Sequence, residues 1–129
     1  MTVKNLFIFG AVVCLLFGLQ FIFIPQALAK MVLIDPTLTD GAIATFRNYG
    51  ILLSSVAIGQ MAARNSKPSV ARRGFLILIT LSAIFNTINT VYSIIAGIGN
   101  NKAWGIVIIT TILSIWAVVL LSKEKALDV

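Results

Sequence analysis

The sequence predicts an all-α integral membrane protein, a bundle of four helices with both termini in the cytoplasm. Three observations predict it. Hydrophobic residues make up 59% of the 129 positions and charged residues only 11%, against about 25% charged in soluble domains. The apolar residues fall in four long continuous runs rather than alternating every second position. The basic residues cluster where those runs end. In lipid every backbone polar group must be satisfied within the chain, so spans are helices or closed barrels. Continuous runs select helices.

The first run is Leu6 to Ile24, preceded by Lys4. Nineteen helical residues rise about 28 Å, close to one hydrocarbon thickness. Lys4, the apolar run and Ala27-Leu28-Ala29 also imitate a secretory signal with its small-residue cleavage site. The run exceeds the usual ~7–15 residue signal core, which favours a retained span. Gly10, Cys14 and Gly18 lie four apart, a stripe of small residues where another helix can approach closely. Cys14 reads as packing in that stripe, because no basic neighbour stabilises a thiolate.

Pro25 breaks or kinks the first helix. Gln26 to Ile34 is short and apolar with Lys30 on it, which suits a segment lying in the interface. Asp35-Pro36 signals a turn, and Thr39 or Asp40 can cap the next helix. The second run, Gly41 to Ala63, spans with some tilt and ends in a basic hairpin carrying Arg64, Lys67, Arg72 and Arg73. Pro68 suits the first turn of a third helix, whose apolar run is Phe75 to Ile98. Gly97, Gly99, Asn100 and Asn101 form a short turn, so the third and fourth helices are antiparallel neighbours. The fourth run is Ala103 to Leu121, opened by Trp104 at interface depth and closed by Lys123, Glu124 and Lys125. One transmembrane domain accounts for residues 1–129.

Four spans put both termini and the middle hairpin on one side. That side holds Lys4, Arg64, Lys67, Arg72, Arg73, Lys123 and Lys125; the other holds Lys30, Arg47 and Lys102. Seven against three places the termini in the cytoplasm by the positive-inside rule. The net charge of +6 therefore reads as topology and contact with lipid headgroups, not as a nucleic-acid surface.

Arg47 is the one formal charge inside an apolar run, about 9 Å into the second helix. It has two readings. A long side chain can snorkel back to the outer headgroups, or it can face the bundle and meet polar partners. Ser82, Asn86, Asn89 and Ser93 share a face of the third helix, with Thr90 beside it and Tyr92 at similar depth. Asn89, Tyr92 and Ser93 match the level of Arg47, and Gln20, Thr110, Thr111 and Ser114 belong to the outer half or the middle. Gly50 and Ser54 continue the face of Arg47. The candidate ligand set is Arg47, Asn86, Asn89, Tyr92, Ser93 and Gln20, with interhelical hydrogen bonding as its bland alternative. The candidate packing set is Gly10, Cys14, Gly18, Gly50 and Ser54.

Several chemistries lack their residues. There is no histidine and one cysteine, so histidine-held haem or zinc and a cysteine-held iron–sulfur cluster are excluded. The carboxylates Asp35, Asp40, Glu124 and Asp128 lie outside the runs, so no acidic proton relay crosses the membrane. No serine has a base to take its proton, and no Gly-rich phosphate loop is present. An autonomous enzyme is not expected, nor a metal or other cofactor.

Phe17-Gly18-Leu19 followed by Phe23-Ile24-Pro25, and Arg47-Asn48-Tyr49-Gly50 followed by Gly59 and a basic hairpin, resemble the DoxX-like small four-helix membrane proteins of bacteria and archaea. The resemblance covers mainly the first two spans. It implies the plasma membrane of a prokaryote, and for some members a place in quinone-linked oxidoreductases; Arg47 and Gly50 are the positions that match. The leading expectation is an accessory or structural subunit in the lipid bilayer, packed against other membrane chains or its own copies. A small-molecule or lipid binder or transporter using the polar outer half is the second, and a quinone-linked redox subunit, by resemblance alone, the third.

Overall fold

The computed structural model describes residues 2–123, all of whose regular elements are helical. They are α1 (Val3–Phe23), α2 (Pro25–Val32), α3 (Asp40–Ala63), α4 (Val70–Ile95), a 3-10 turn (Asn101–Ala103) and α5 (Trp104–Lys123). Three long helices open on a hydroxyl cap. Thr2 accepts from the Asn5 amide, Thr39 from Ala42 and Ser69 from Arg72, each satisfying one of the amides a helix start leaves without a partner. Pro25 is the first residue of α2, where its missing N–H costs nothing. Pro68 lies just outside α4 rather than in its first turn. At the other end of α4, Gly97 adopts φ +72°, and the Ile98 and Gly99 amides both donate to the Ser93 carbonyl at 2.9 Å. The helix therefore stops at Ile95, short of the end of the apolar run at Ile98.

The helices pack as two antiparallel pairs, α1 with α3 and α4 with α5. The pairs meet at one end, which holds the start of α1, the hairpin 64–69 and the end of α5. There Val3, Leu6 and Phe7 of α1 bury against Leu76, Ile79 and Ala83 of α4 and Leu113, Ala117 and Leu120 of α5. The Phe7 and Phe75 rings meet edge to face at 5.7 Å. At the opposite end α2 clips the pairs together. Its Leu28 and Ala29 are buried, the Ile34 amide donates to Ile98 O and the Asn100 amide to Val32 O, both at 2.9 Å. Asn100 Nδ2 adds a bond to Leu33 O at 3.1 Å.

Leu16, Phe23, Ile58, Phe85, Ile88, Ile95 and Ile115 are all exposed. An apolar surface of that extent is at home in hydrocarbon, not water. α1, α4 and the segment Asn101–Lys123 are long and apolar enough to cross a membrane. α3 is not among them: its length suffices, but Arg47, Asn48 and Gln60 interrupt its apolar character.

Candidate functional site

Glycines bring α1 and α3 together along a close seam. Gly18 of α1 lies against Gly50 and Ser54 of α3; a Cβ added to Gly50 would lie 2.6 Å from the Gly18 carbonyl oxygen. Without side chains at these two positions the backbones come within van der Waals contact. Cys14 is half-buried on α1 between Gly10 and Gly18. Farther along, Gly10 makes room for Gln60, whose side chain is 1% exposed. A Cβ at Gly10 would sit 2.8 Å from Gln60 Oε1. Toward the other end the Phe21 ring meets Phe46 at 5.4 Å and Tyr49 at 5.2 Å, both edge on.

The structure does not gather the expected ligand set around Arg47. The partner of α3 is α1, and α3 does not pack along α4. Arg47 is exposed. Asn89 and Tyr92 are exposed on α4, while Asn86 and Ser93 are half-buried there; Gln20 is half-buried on α1. The hydroxyls near this row turn back to their own helix: Thr90 Oγ1 donates to Asn86 O at 2.8 Å and Ser93 Oγ to Asn89 O at 2.9 Å. One polar bond crosses between helices nearby, Thr87 Oγ1 to Thr110 Oγ1 at 2.7 Å, joining α4 to α5.

Among the described residues a cleft lies at the opposite end, under the basic hairpin. It is open to the outside, with a volume of about 270 Å³. Gly59 and Ala63 of α3 and Phe75 of α4 line its apolar part; Ser66 and Ser69 of the hairpin and Ala71 and Arg72 of α4 line the rest. Arg72 Nη1 donates to Ser66 O at 2.8 Å, which fixes the guanidinium beside the hairpin. Arg64 turns back onto the Met61 carbonyl. Arg73 is half-buried and Lys67 exposed.

Among the described residues three buried polar atoms lack a partner: Ser54 Oγ, Gln60 Oε1 and Trp116 Nε1. Gln60 and Ser54 both sit on the seam, and Trp116 stacks at a tilt on Phe9 of α1, ring centres 6.1 Å apart. Sequence reasoning passed over Gln60, which lies inside the second apolar run. Its place three residues after Ala57, on the face of Gly50 and Ser54, was the available signal. Among the described residues no three His, Cys, Asp or Glu side chains come together to hold a metal. No family model matches the chain, and neither does a curated protein or a solved structure.

Proposed function

We propose that the chain is a four-span membrane protein with cytoplasmic termini, and that it serves as an accessory or structural subunit packed against other membrane chains. The observation that carries the subunit reading is uncovered polar surface along the helices. Ser82 and Asn89 are exposed on α4, and Arg47 and Asn48 on α3. An amide facing hydrocarbon without a partner costs roughly 2 kcal/mol or more, and an arginine about 2.5–3.5 kcal/mol on insertion scales. A neighbouring helix with hydroxyl or carbonyl groups removes those penalties.

The fourth span is supported by the seam. α3 follows α1 in antiparallel register from Gly10 opposite Gln60 to Gly18 opposite Gly50, so where α1 crosses, α3 crosses beside it. Seven of the ten basic residues fall on the side of the termini and the hairpin, which supports the orientation. The likeness to DoxX-like proteins fits this reading at Gly50, whose missing side chain permits the seam.

A photo-crosslinking residue placed at Asn89, and separately at Ser82, tests the subunit reading in native membranes. Adducts to another membrane chain, or to a second copy at twice the mass, are expected. Adducts to lipid alone at both positions would show that these faces have no protein neighbour.

A further inference from the structure

We propose that α4 pairs with α4 of a second copy of this chain, along the face that its own neighbours leave uncovered. The inference deepens the subunit reading by naming the partner, and rests on that reading. Leu78, Ser82, Phe85, Asn89 and Tyr92 are all exposed on α4. They are spaced four, three, four and three apart. That is a heptad seam with Ser82 and Asn89 at the a positions and Leu78, Phe85 and Tyr92 at the d positions. The repeat keeps one stripe turned toward a parallel neighbour at a crossing angle of about 20°. The stripe begins past Phe75, which lies against Gly59 of α3.

Polar chemistry chooses the occupant. The uncovered faces of α1 and α5 carry apolar side chains in mid-span, Leu16 and Leu19 on one and Ile112 and Ile115 on the other. Lipid tails cover such faces as well as a helix does. α3 exposes Arg47, and pairing that face with its own copy would set like charges together. α4 differs from all three. No charged residue lies between Arg73 and Lys102, and Asn89 presents an amide ~9 Å inside the end of the helix at Ile95.

Copies inserted under one charge bias share an orientation. Their α4 helices therefore run parallel about a two-fold axis along the membrane normal, and each residue on the axis meets itself. An asparagine can meet itself, because its amide donates through Nδ2 and accepts through Oδ1; two of them exchange reciprocal hydrogen bonds. Ser82, two turns away on the same stripe, pairs in the same way through its hydroxyl. An asparagine at an a position also fixes register and the number of strands.

Disulfide trapping in native membranes, in a Cys14→Ala background, tests the seam. Asn89→Cys and Phe85→Cys should each form a covalent dimer on mild oxidation. Ile77→Cys, exposed on another face of α4, and Ile112→Cys, exposed on α5, should give roughly a fifth of that dimer or less, because neither position faces the axis. Asn89→Leu keeps the size of an exposed side chain and removes its amide, so the fold is untouched. It should weaken self-association about threefold or more, read by energy transfer between labelled chains in vesicles. Equal trapping in Asn89→Cys and Ile112→Cys, or unchanged association in Asn89→Leu, would overturn the self-pairing. With a photo-crosslinking residue at Asn89, adducts to a different membrane chain alone would overturn the self-pairing and leave the subunit reading standing; adducts to lipid alone would remove both.

Discussion

The two helix pairs meet the same demand in different ways. α4 and α5 are joined by eight residues, 96–103, and pack side chains of ordinary size, Ile79 and Ala83 against Leu113 and Ala117. α1 and α3 are separated by sixteen residues, 24–39, with a helix of their own, and pack backbone against backbone at Gly18 and Gly50. Lipid tails are as apolar as leucine, so burying leucine adds little drive between helices in a bilayer. A pair tied by a short turn loses little chain entropy on meeting, and modest contacts hold it. A pair separated by a longer connection loses more, and its seam is built from the closest contact that a chain can make.

That contrast breaks first at Gly50. A Cβ there would meet the Gly18 carbonyl at 2.6 Å and Phe21 Cβ at 2.8 Å, atoms that move only if the helices separate. Gly50→Ala is expected to destabilise by about 3 kcal/mol, the upper part of the overpacking range. Gly10→Ala meets only the end of the Gln60 side chain and should cost about 1 kcal/mol. Gly74→Ala has nothing within 4 Å and should be neutral or gain up to ~1 kcal/mol of helix propensity. Unfolding in mixed micelles, followed by circular dichroism, ranks the three. Equal effects at Gly50 and Gly74 would mean that α1 and α3 do not touch backbones.

The same seam marks how far sequence reasoning reached. The order of helices, the break at Pro25, a cap at Thr39 or Asp40 and the α4–α5 neighbourhood were legible, because proline, hydroxyl caps and short turns act locally; Pro68 was placed two residues too far into the third helix, which Ser69 caps. Gly10, Gly18, Gly50 and Ser54 were legible as close-packing faces. Their partnership was not, because a small residue specifies an approach distance and not which helix arrives. Arg47 and Asn89 match in depth along the chain, but depth says nothing of adjacency, and α1 takes the place beside α3. The row Ser82, Asn86, Asn89 and Ser93 shares a face as its spacing requires. Its nearby hydroxyls nonetheless bond to the carbonyl four residues back, which is within reach in any helix. Arg64, Lys67, Arg72 and Arg73 are visible in the sequence as a basic cluster around the hairpin; which residues line the cleft beneath it depends on how α3 and α4 are placed, which no local pattern encodes.

The α4–α5 pair can be sharpened at the polar bridge between Thr87 and Thr110. Thr87 and Thr110 each also lie 2.9 Å from a carbonyl of their own helix, Ala83 O and Ile106 O. A hydroxyl has one proton. One threonine therefore donates across the pair while the other donates to its own backbone and accepts. Val substitutions at both sites complete a double-mutant cycle. The expected coupling is about 0.6 kcal/mol, the average for such bonds within membranes, and below ~1.7 kcal/mol. A coupling near zero would make the pair wholly dependent on its turn and its apolar contacts.

The smallest effect lies in the connections themselves, which use one device in two chemical forms. Asp35 Oδ1 accepts from the Thr37 amide at 3.0 Å, and Asn100 Oδ1 from the Lys102 amide at 2.8 Å. Both are side chains bonding the backbone two residues on, the usual Asx turn. Only the first titrates. The bonds from the Thr37 backbone and then its side chain hold Asp35 below its ordinary 3.8. A carboxylate with a lowered folded pKa stabilises its turn at pH above 3.8, and that contribution fades as pH falls through the folded value. Asp35 is fully exposed, so the change should be confined to residues 35–37 and leave global unfolding unmoved between pH 7 and about 4. The Thr37 amide resonance, followed by NMR in micelles, should titrate with a midpoint below 3.8, while the Lys102 amide stays constant over the same range. Asp35→Asn should abolish the Thr37 titration and keep the turn, converting the longer connection to the form that the shorter one already has. A midpoint at or above 3.8 would show that the carboxylate does not hold the Thr37 amide.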